Sequence, residues 1–300
     1  MKFLDAALQG RNDLWRYLLG IGIIMFAVFF IGGLPLVAAV VYMLGDGNPA
    51  TDFNTTTGAL VGMDPLLNFV LNLLPFVVAF VAIGAVVVYI HRRPFRSLVN
   101  PLPSIRWGRI AQGFLAWLAI AAVTTGIESV VFPGRYALTL DLPRLLPFAI
   151  AALLLLPIQS AAEELFFRGY TLQGLGLLNR QPLALAVLSG LLFAIPHGAN
   201  PEVAADFWVV MAFYFVFGAG MTLVTLLDNG LELAIGIHAA NNIFTAIFAN
   251  FSGSALETPA LFTGSGFSPW YNLVATAVGI WIFCLVFAPR WLAQARASKK

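Results

Sequence analysis

The chain has 300 residues, 60% hydrophobic and only 10% charged, with a formal net charge of +2 and a mean hydropathy of +0.88. An ordinary soluble domain carries roughly 25% charged residues, so the composition excludes a soluble globular protein. The near-zero charge gives no reason to expect a nucleic-acid partner. Cys284 is the only cysteine. That excludes an intramolecular disulfide and a thiolate metal cluster, and its place in the last apolar segment assigns it to packing.

Eight apolar segments follow one another, each a candidate for the about 20 residues that a membrane span needs. They run Trp15–Leu44, Pro65–Ile90, Ile110–Phe132, Leu145–Phe167, Leu183–Pro196, Phe207–Leu227, Leu231–Asn250 and Trp270–Ala288. The first is long and the fifth short. The first far exceeds the h-region of a cleaved signal peptide, and no clear small-residue cleavage site follows it. With no repeat of fixed period, no low-complexity tract and no long linker, the expected fold is all-α: one polytopic membrane domain over residues 1–300, with about eight transmembrane helices and a buried polar site in a core at 145–250.

Basic residues set the orientation. Lys2, Arg11, Arg16, Arg92, Arg93, Arg96, Arg106 and Arg109 fall on one side, with Arg168, Arg180, Arg290, Arg296, Lys299 and Lys300 on or near it; only Arg135 and Arg144 fall on the other. By the positive-inside rule both termini are cytoplasmic. The loop from Gly45 to Asp64 carries Asp46, Asp52 and Asp64 and no basic residue, which agrees.

Within the fourth segment stands a pair of acids, Glu163-Glu164, followed by Arg168. A carboxylate at membrane depth is costly enough to be a functional hypothesis by default. Glu164 and Arg168 are four apart and stack on one helical face in the favoured order, acid before base. Glu163 is rotated about 100° away and is free of that pairing. The bland alternative is that both acids are simply solvated at the interface.

Two further constellations follow. Phe193 and His197 share a face at the same spacing, and so do His238 and Asn242. A histidine at a span end is often an interfacial or packing residue. Yet unpartnered polar side chains cost several kcal/mol in hydrocarbon, so the economical arrangement has these groups meeting each other and Glu163. Depth is an obstacle. At 1.5 Å per residue, His197 lies about 21 Å and His238 about 10 Å from their helix starts, with Glu163 shallow on the same side. Convergence then calls for a displaced fifth helix, or a fourth helix running past the turn near Arg180; Pro157 permits a kink.

The ordered set Glu-Glu-x-x-x-Arg, Phe-x-x-x-His and His-x-x-x-Asn on successive apolar helices resembles the CPBP intramembrane proteases. These are also called the Abi or CAAX-protease family, and they include the type II CAAX prenyl endopeptidases and bacterial proteins linked to bacteriocin processing. The likeness covers about residues 145–250. It implies an endopeptidase acting on a peptide or lipidated protein at the bilayer, in a bacterial cell membrane. Glu163 would be the general base on water, aided by His197; His238 and Asn242 would meet the oxyanion; Glu164, Arg168 and Phe193 would support them. Two histidines and a carboxylate, His197, His238 and Glu163, also suit one divalent zinc ion, and a metal-free site with the same residues is equally consistent.

Other classes fit less well. There is no His-Glu-x-x-His, and Asp228 lacks a second intramembrane aspartate. Ser189 with His197 has the wrong helical phase for a serine protease, and Ser189-Gly190 reads as close helix packing. A non-enzymatic transporter or scaffold using the Glu and His cluster for ions or protons is the alternative. Glu128 would favour it if it faced a cavity, and is expected at the interface instead.

Overall fold

The structure is a computed structural model that describes residues 2–48, 51–54 and 59–297. Lys299 and Lys300, counted above among the basic residues of one side, lie outside them. Eight helical rods correspond to the eight apolar segments: α1 (Leu14–Gly45), α2 (Pro65–Ile90), α3 (Trp107–Val131), α4 (Leu142–Leu178), α5 (Pro182–His197), α6 (Phe207–Asp228), α7 (Glu232–Ile247) and α8 (Pro269–Ala297). Six are long and apolar enough to cross a membrane among the described residues; α5 and α7, of 16 residues each, are shorter. The chain is thus a helical, polytopic membrane protein.

Helix starts follow local chemistry. Asp64, Asp141 and Asp206 each accept a hydrogen bond from a backbone N–H in the first turn, of Leu67, Arg144 and Val209 respectively, which satisfies a donor the helix leaves open. Proline stands in the first turn of α2, α4 and α5, where its missing N–H costs nothing. Asn229, in the left-handed region at φ 57°, ends α6 and lets α7 begin three residues later.

Among the described residues stand five short strands that were not expected. β1 (Asp52–Asn54) pairs antiparallel with β2 (Ala59–Val61) between α1 and α2. A second sheet has the order β3 (Tyr136–Leu138), β5 (Phe262–Gly264), β4 (Ala249–Phe251), with β3 antiparallel and β4 parallel to β5.

α7 is the central rod, packed between α3, α4 and α6. A Cβ added to Gly113 of α3 would overlap the backbone of Leu233, and one added to Gly236 of α7 would overlap that of Ile110 and Phe114. This approach is the small-residue contact by which helices associate in lipid. Ser189 is buried and Gly190 packs on Phe215 and Ala219 of α6, a packing position.

Both chain ends reach the same end of the bundle. The Phe3 N–H donates to Asn229 Oδ1 at 2.5 Å, and Trp291 Nε1 donates to Asp228 Oδ1 at 2.9 Å. Arg135 stands at the opposite end, beside the three-stranded sheet.

Candidate active site

α4 carries the acids to mid-bundle. It is helical from Leu142 through Pro157 to Leu178, and directly after the glutamate pair it widens into a π segment, Leu165–Thr171. Single-turn π segments inside helices recur at functional sites.

The depth obstacle dissolves on two counts. The turn near Arg180 stays where the sequence puts it, but α4 continues to Leu178, so Glu163 stands about 22 Å from that end. His197 stands about 22 Å from Pro182 by the same rise of 1.5 Å per residue. α7, for its part, begins inside the molecule. Asp228 and Glu232 are fully buried, and the Leu231 N–H donates to Val99 O at 2.7 Å, so the polypeptide after α2 roofs the α6–α7 turn. His238 therefore reaches the acids from a recessed start. Arg168, counted above near the basic side, is fully buried instead and donates from Nη2 to Gly218 O, halfway along α6.

The centre of the site is a pair of carboxylates bridged by one imidazole. Arg168 Nη1 donates to Glu164 Oε1 at 3.0 Å, and His238 Nδ1 meets the same oxygen at 2.8 Å. His238 Nε2 lies 3.5 Å from Glu163 Oε2. Since the Glu164 carboxylate only accepts, the proton sits on His238 Nδ1; Nε2 donates only when the ring is protonated. Glu163 is nine-tenths buried. Its Oε1 accepts from Gln159 Nε2 at 2.9 Å, while Oε2 is buried with no hydrogen-bond partner.

Around this centre the aromatic side chains fix the rest. The Arg168 guanidinium lies 4.4 Å over the Phe193 ring, a cation–π contact. Phe193 and Phe217 present their rings to His238 in edge contacts at 6.0 and 5.5 Å. His197 stacks between Phe193 and Tyr214, each 4.3 Å away by ring centroid, and its Nδ1 bonds Phe193 O at 2.6 Å. A carbonyl only accepts, so this too leaves an Nε2 lone pair. Asn242 Nδ2 donates to Gln159 Oε1 at 2.8 Å and, at 3.5 Å, to the Ser160 hydroxyl, so one amide hydrogen is firmly engaged and the other only by a long contact.

Several participants escaped the sequence reading. Gln159 joins Asn242 to Glu163. Tyr214 backs His197, with its hydroxyl bonded to Glu202 and, at 2.8 Å, to Asn200. Asn241 links Asn242 to the Trp117 indole, both at 3.2 Å. Gln159 lies four residues before Glu163, a helical-neighbour spacing that was the one available signal; Tyr214 offered none.

Glu128 corrects the expectation of an interfacial residue. It is 3% exposed and lines a cavity of about 130 Å³ with Trp117, Tyr136, Asn241 and Tyr271. There it is neutralised: Tyr136 donates to it at 2.7 Å, and Arg135 lies at 3.5 Å. Beside this carboxylate the half-buried Tyr136 hydroxyl has its pKa pushed up, by burial first and then by the bond to Glu128.

Glu163, His197 and His238 have the donor types for zinc. As placed, however, no three His, Cys, Asp or Glu side chains form a metal-holding group among the described residues.

Comparison with known proteins covers the same region and more. Residues 144–244 match the family model described as type II CAAX prenyl endopeptidase Rce1-like. The chain is 32% identical over 285 residues to the Uncharacterized protein YyaK of Bacillus subtilis (strain 168), covering 91% of this chain and 94% of the relative. A likeness of that extent, with the family match centred on the helices that carry the acids and histidines, means that the chain belongs to the Rce1-like family of type II CAAX prenyl endopeptidases.

Proposed function

We propose that this protein hydrolyses a peptide bond of a membrane-associated substrate, using water activated by Glu163. The family is one of proteases, and its members' setting agrees with an integral multi-pass membrane protein. The observation that carries the reading is Glu163 Oε2: a buried carboxylate oxygen with no hydrogen-bond partner, 3.5 Å from an imidazole nitrogen. Buried polar atoms are nearly always satisfied, and an acceptor left open in a nine-tenths buried site is where a water donates.

In the reaction, the water oxygen attacks the scissile carbonyl carbon as its proton passes to Glu163 Oε2. His197 Nε2, held as an acceptor by the Phe193 carbonyl, shares that proton. The tetrahedral oxyanion receives the Asn242 N–H that otherwise makes only the long contact to Ser160, and the Nε2–H of a His238 ring that takes its second proton from solvent before the attack and keeps it throughout. The Glu164 carboxylate stabilises that imidazolium from the far side. Collapse breaks the C–N bond, and the proton held on the acid leaves with the amine. Glu164 and Arg168 position the imidazole and do not react.

The family name points to a prenylated CAAX peptide as substrate. The basic residues at the end where both termini meet support a cytoplasmic location for that end, in a bacterial cell membrane. The test is cleavage of a panel of lipidated and unlipidated peptides by the purified protein in detergent, with Glu163→Gln as the control. Cleavage that Glu163→Gln abolishes is expected; a panel left intact, or cleaved equally by the variant, would overturn the reading. Activity is expected to survive chelation. If chelation abolishes it, zinc restores it and His238→Ala loses stoichiometric zinc, the protease assignment stands and the metal-free mechanism falls.

A further inference from the structure

Gln159 belongs to none of the three constellations read from the sequence, yet its side chain sits between two of them. It is 6% exposed, one turn before Glu163 on α4. Its Oε1 accepts from Asn242 Nδ2 at 2.8 Å and from the Ser160 hydroxyl at 3.2 Å. The neighbours fix which way the amide faces, because the flipped amide would set its NH₂ against the Asn242 NH₂ and its oxygen against the Glu163 carboxylate, whereas the Ser160 hydroxyl can donate or accept. Nε2 is thereby turned toward Glu163 Oε1, to which it donates at 2.9 Å.

The consequence lies in the other carboxylate oxygen. Glu163 has three side-chain torsions and no counter-ion of its own, since Arg168 is bonded to Glu164. Without a donor on Oε1, nothing fixes which oxygen faces His238 and the reacting water. The donated bond holds Oε1 back along α4 and leaves Oε2 beside His238 Nε2. Since the same Gln159 amide is gripped by Asn242 from α7, the base on one helix and the oxyanion donor on the other are set at a fixed separation. Ser160, fully buried, buttresses the link.

We propose that Gln159 is a positioning residue of the active site, which clamps the Glu163 carboxylate to Asn242 and so orients the open oxygen toward the attacking water. The inference rests on the hydrolytic reading above. It predicts that removing the clamp harms the chemical step more than substrate binding. A reacting group misplaced by about 1 Å costs about 100-fold in rate, whereas Gln159 touches no substrate.

The experiment compares wild type with Gln159→Met, which keeps the length and shape of the side chain and loses all three hydrogen bonds, and with Gln159→Leu as a second replacement should the first fold poorly. With a peptide that wild type cleaves, the expected result, per folded molecule, is a kcat lowered about 10- to 100-fold and a KM within a factor of two, with a lowered thermal midpoint because Asn242, Ser160 and Glu163 each lose a buried partner. A second readout needs no turnover: the infrared carboxylate band of Glu163, identified as the one missing from Glu163→Gln, should move in the Gln159 variant because one oxygen has lost its donor. An unchanged kcat, or an unmoved band in a folded variant, overturns the proposal. If wild type cleaves no peptide at all, the hydrolytic reading fails by itself and the band alone decides whether Gln159 holds the carboxylate.

Discussion

Two buried ionic clusters lie along α6 and α7, and they are built to opposite specifications. At the end where the termini meet, Asp228 and Glu232 are fully buried and every oxygen is engaged. Asp228 takes Arg109, Arg106 and the Trp291 indole, and Glu232 takes Arg106, its backbone N–H and Asn100. In mid-bundle, by contrast, Glu163 and Glu164 each keep one buried oxygen without a partner, and so does the Arg168 Nε. The first cluster is closed and joins α3, α6, α7 and α8. The second is left open where a water and a substrate carbonyl would enter, and open acceptors in a dry site are costly unless something uses them.

The largest separation between the clusters should come from Glu163→Gln. The amide keeps the size of the side chain but cannot take a proton, so turnover is expected to fall by about 10²- to 10⁴-fold, the usual range for a general base. The thermal midpoint should stay near that of wild type, because no guanidinium depends on Glu163. Steady-state cleavage and thermal unfolding in the same detergent measure the two. A variant with wild-type turnover would transfer the open role to Glu164.

Glu164→Gln should behave like a lesion in the closed cluster. It leaves the fully buried Arg168 without the carboxylate it is bonded to, and breaking a buried pair from one side costs about 3–5 kcal/mol. Asp228→Asn should cost a similar amount for the same reason. The difference is that Glu164→Gln also unseats His238 and lowers turnover, whereas Asp228→Asn should leave the kcat of the surviving folded fraction intact. Denaturation midpoints paired with kcat per folded molecule would show whether the clusters divide in this way.

Next in size is Asn242→Ala. Loss of one oxyanion donor costs about 2.7–4 kcal/mol of transition-state stabilisation, with KM nearly unchanged because the bond strengthens only as charge develops. A rise in KM with constant kcat would instead make Asn242 a substrate-binding group.

The contrast also explains what the sequence could convey. Pairs on one helix were legible, because Glu164 with Arg168 and Phe193 with His197 follow from i, i+4 spacing. The spans were legible from hydropathy, since every backbone group in lipid must be satisfied by its own helix. What crosses between helices was not. That His238 would bond Glu164 more closely than Glu163 depends on how far α7 is recessed, and that recess is set by contacts from Phe3 and Val99, far away in the chain. Tyr214 was invisible for the same reason: an aromatic residue in an apolar helix carries no mark of the imidazole it will stack on.

The smallest expected effect comes from outside both clusters. Arg180 Nη1 lies 2.7 Å from Asp5 Oδ1, joining the α4–α5 turn to the N-terminal segment, with side chains 54% and 25% exposed. The hydrogen bond from Arg180, and then the Lys2 backbone N–H, hold the Asp5 carboxyl below its usual range. A carboxyl with a depressed folded-state pKa contributes stability above its unfolded value, about 3.9, and loses it as pH falls through the folded value. Solvent screens so exposed a pair, so Asp5→Asn should lower stability by no more than about 1 kcal/mol at pH 7 and low salt. The difference from wild type should shrink in 1 M salt, where the Debye length is about 3 Å, and again well below pH 3.9. Thermal midpoints of the two proteins under the three conditions make the comparison. A deficit that persists in salt and acid would mean that Asp5 anchors the segment by its backbone bonds, and that this end of the molecule is closed by more than the Asp228 and Glu232 cluster.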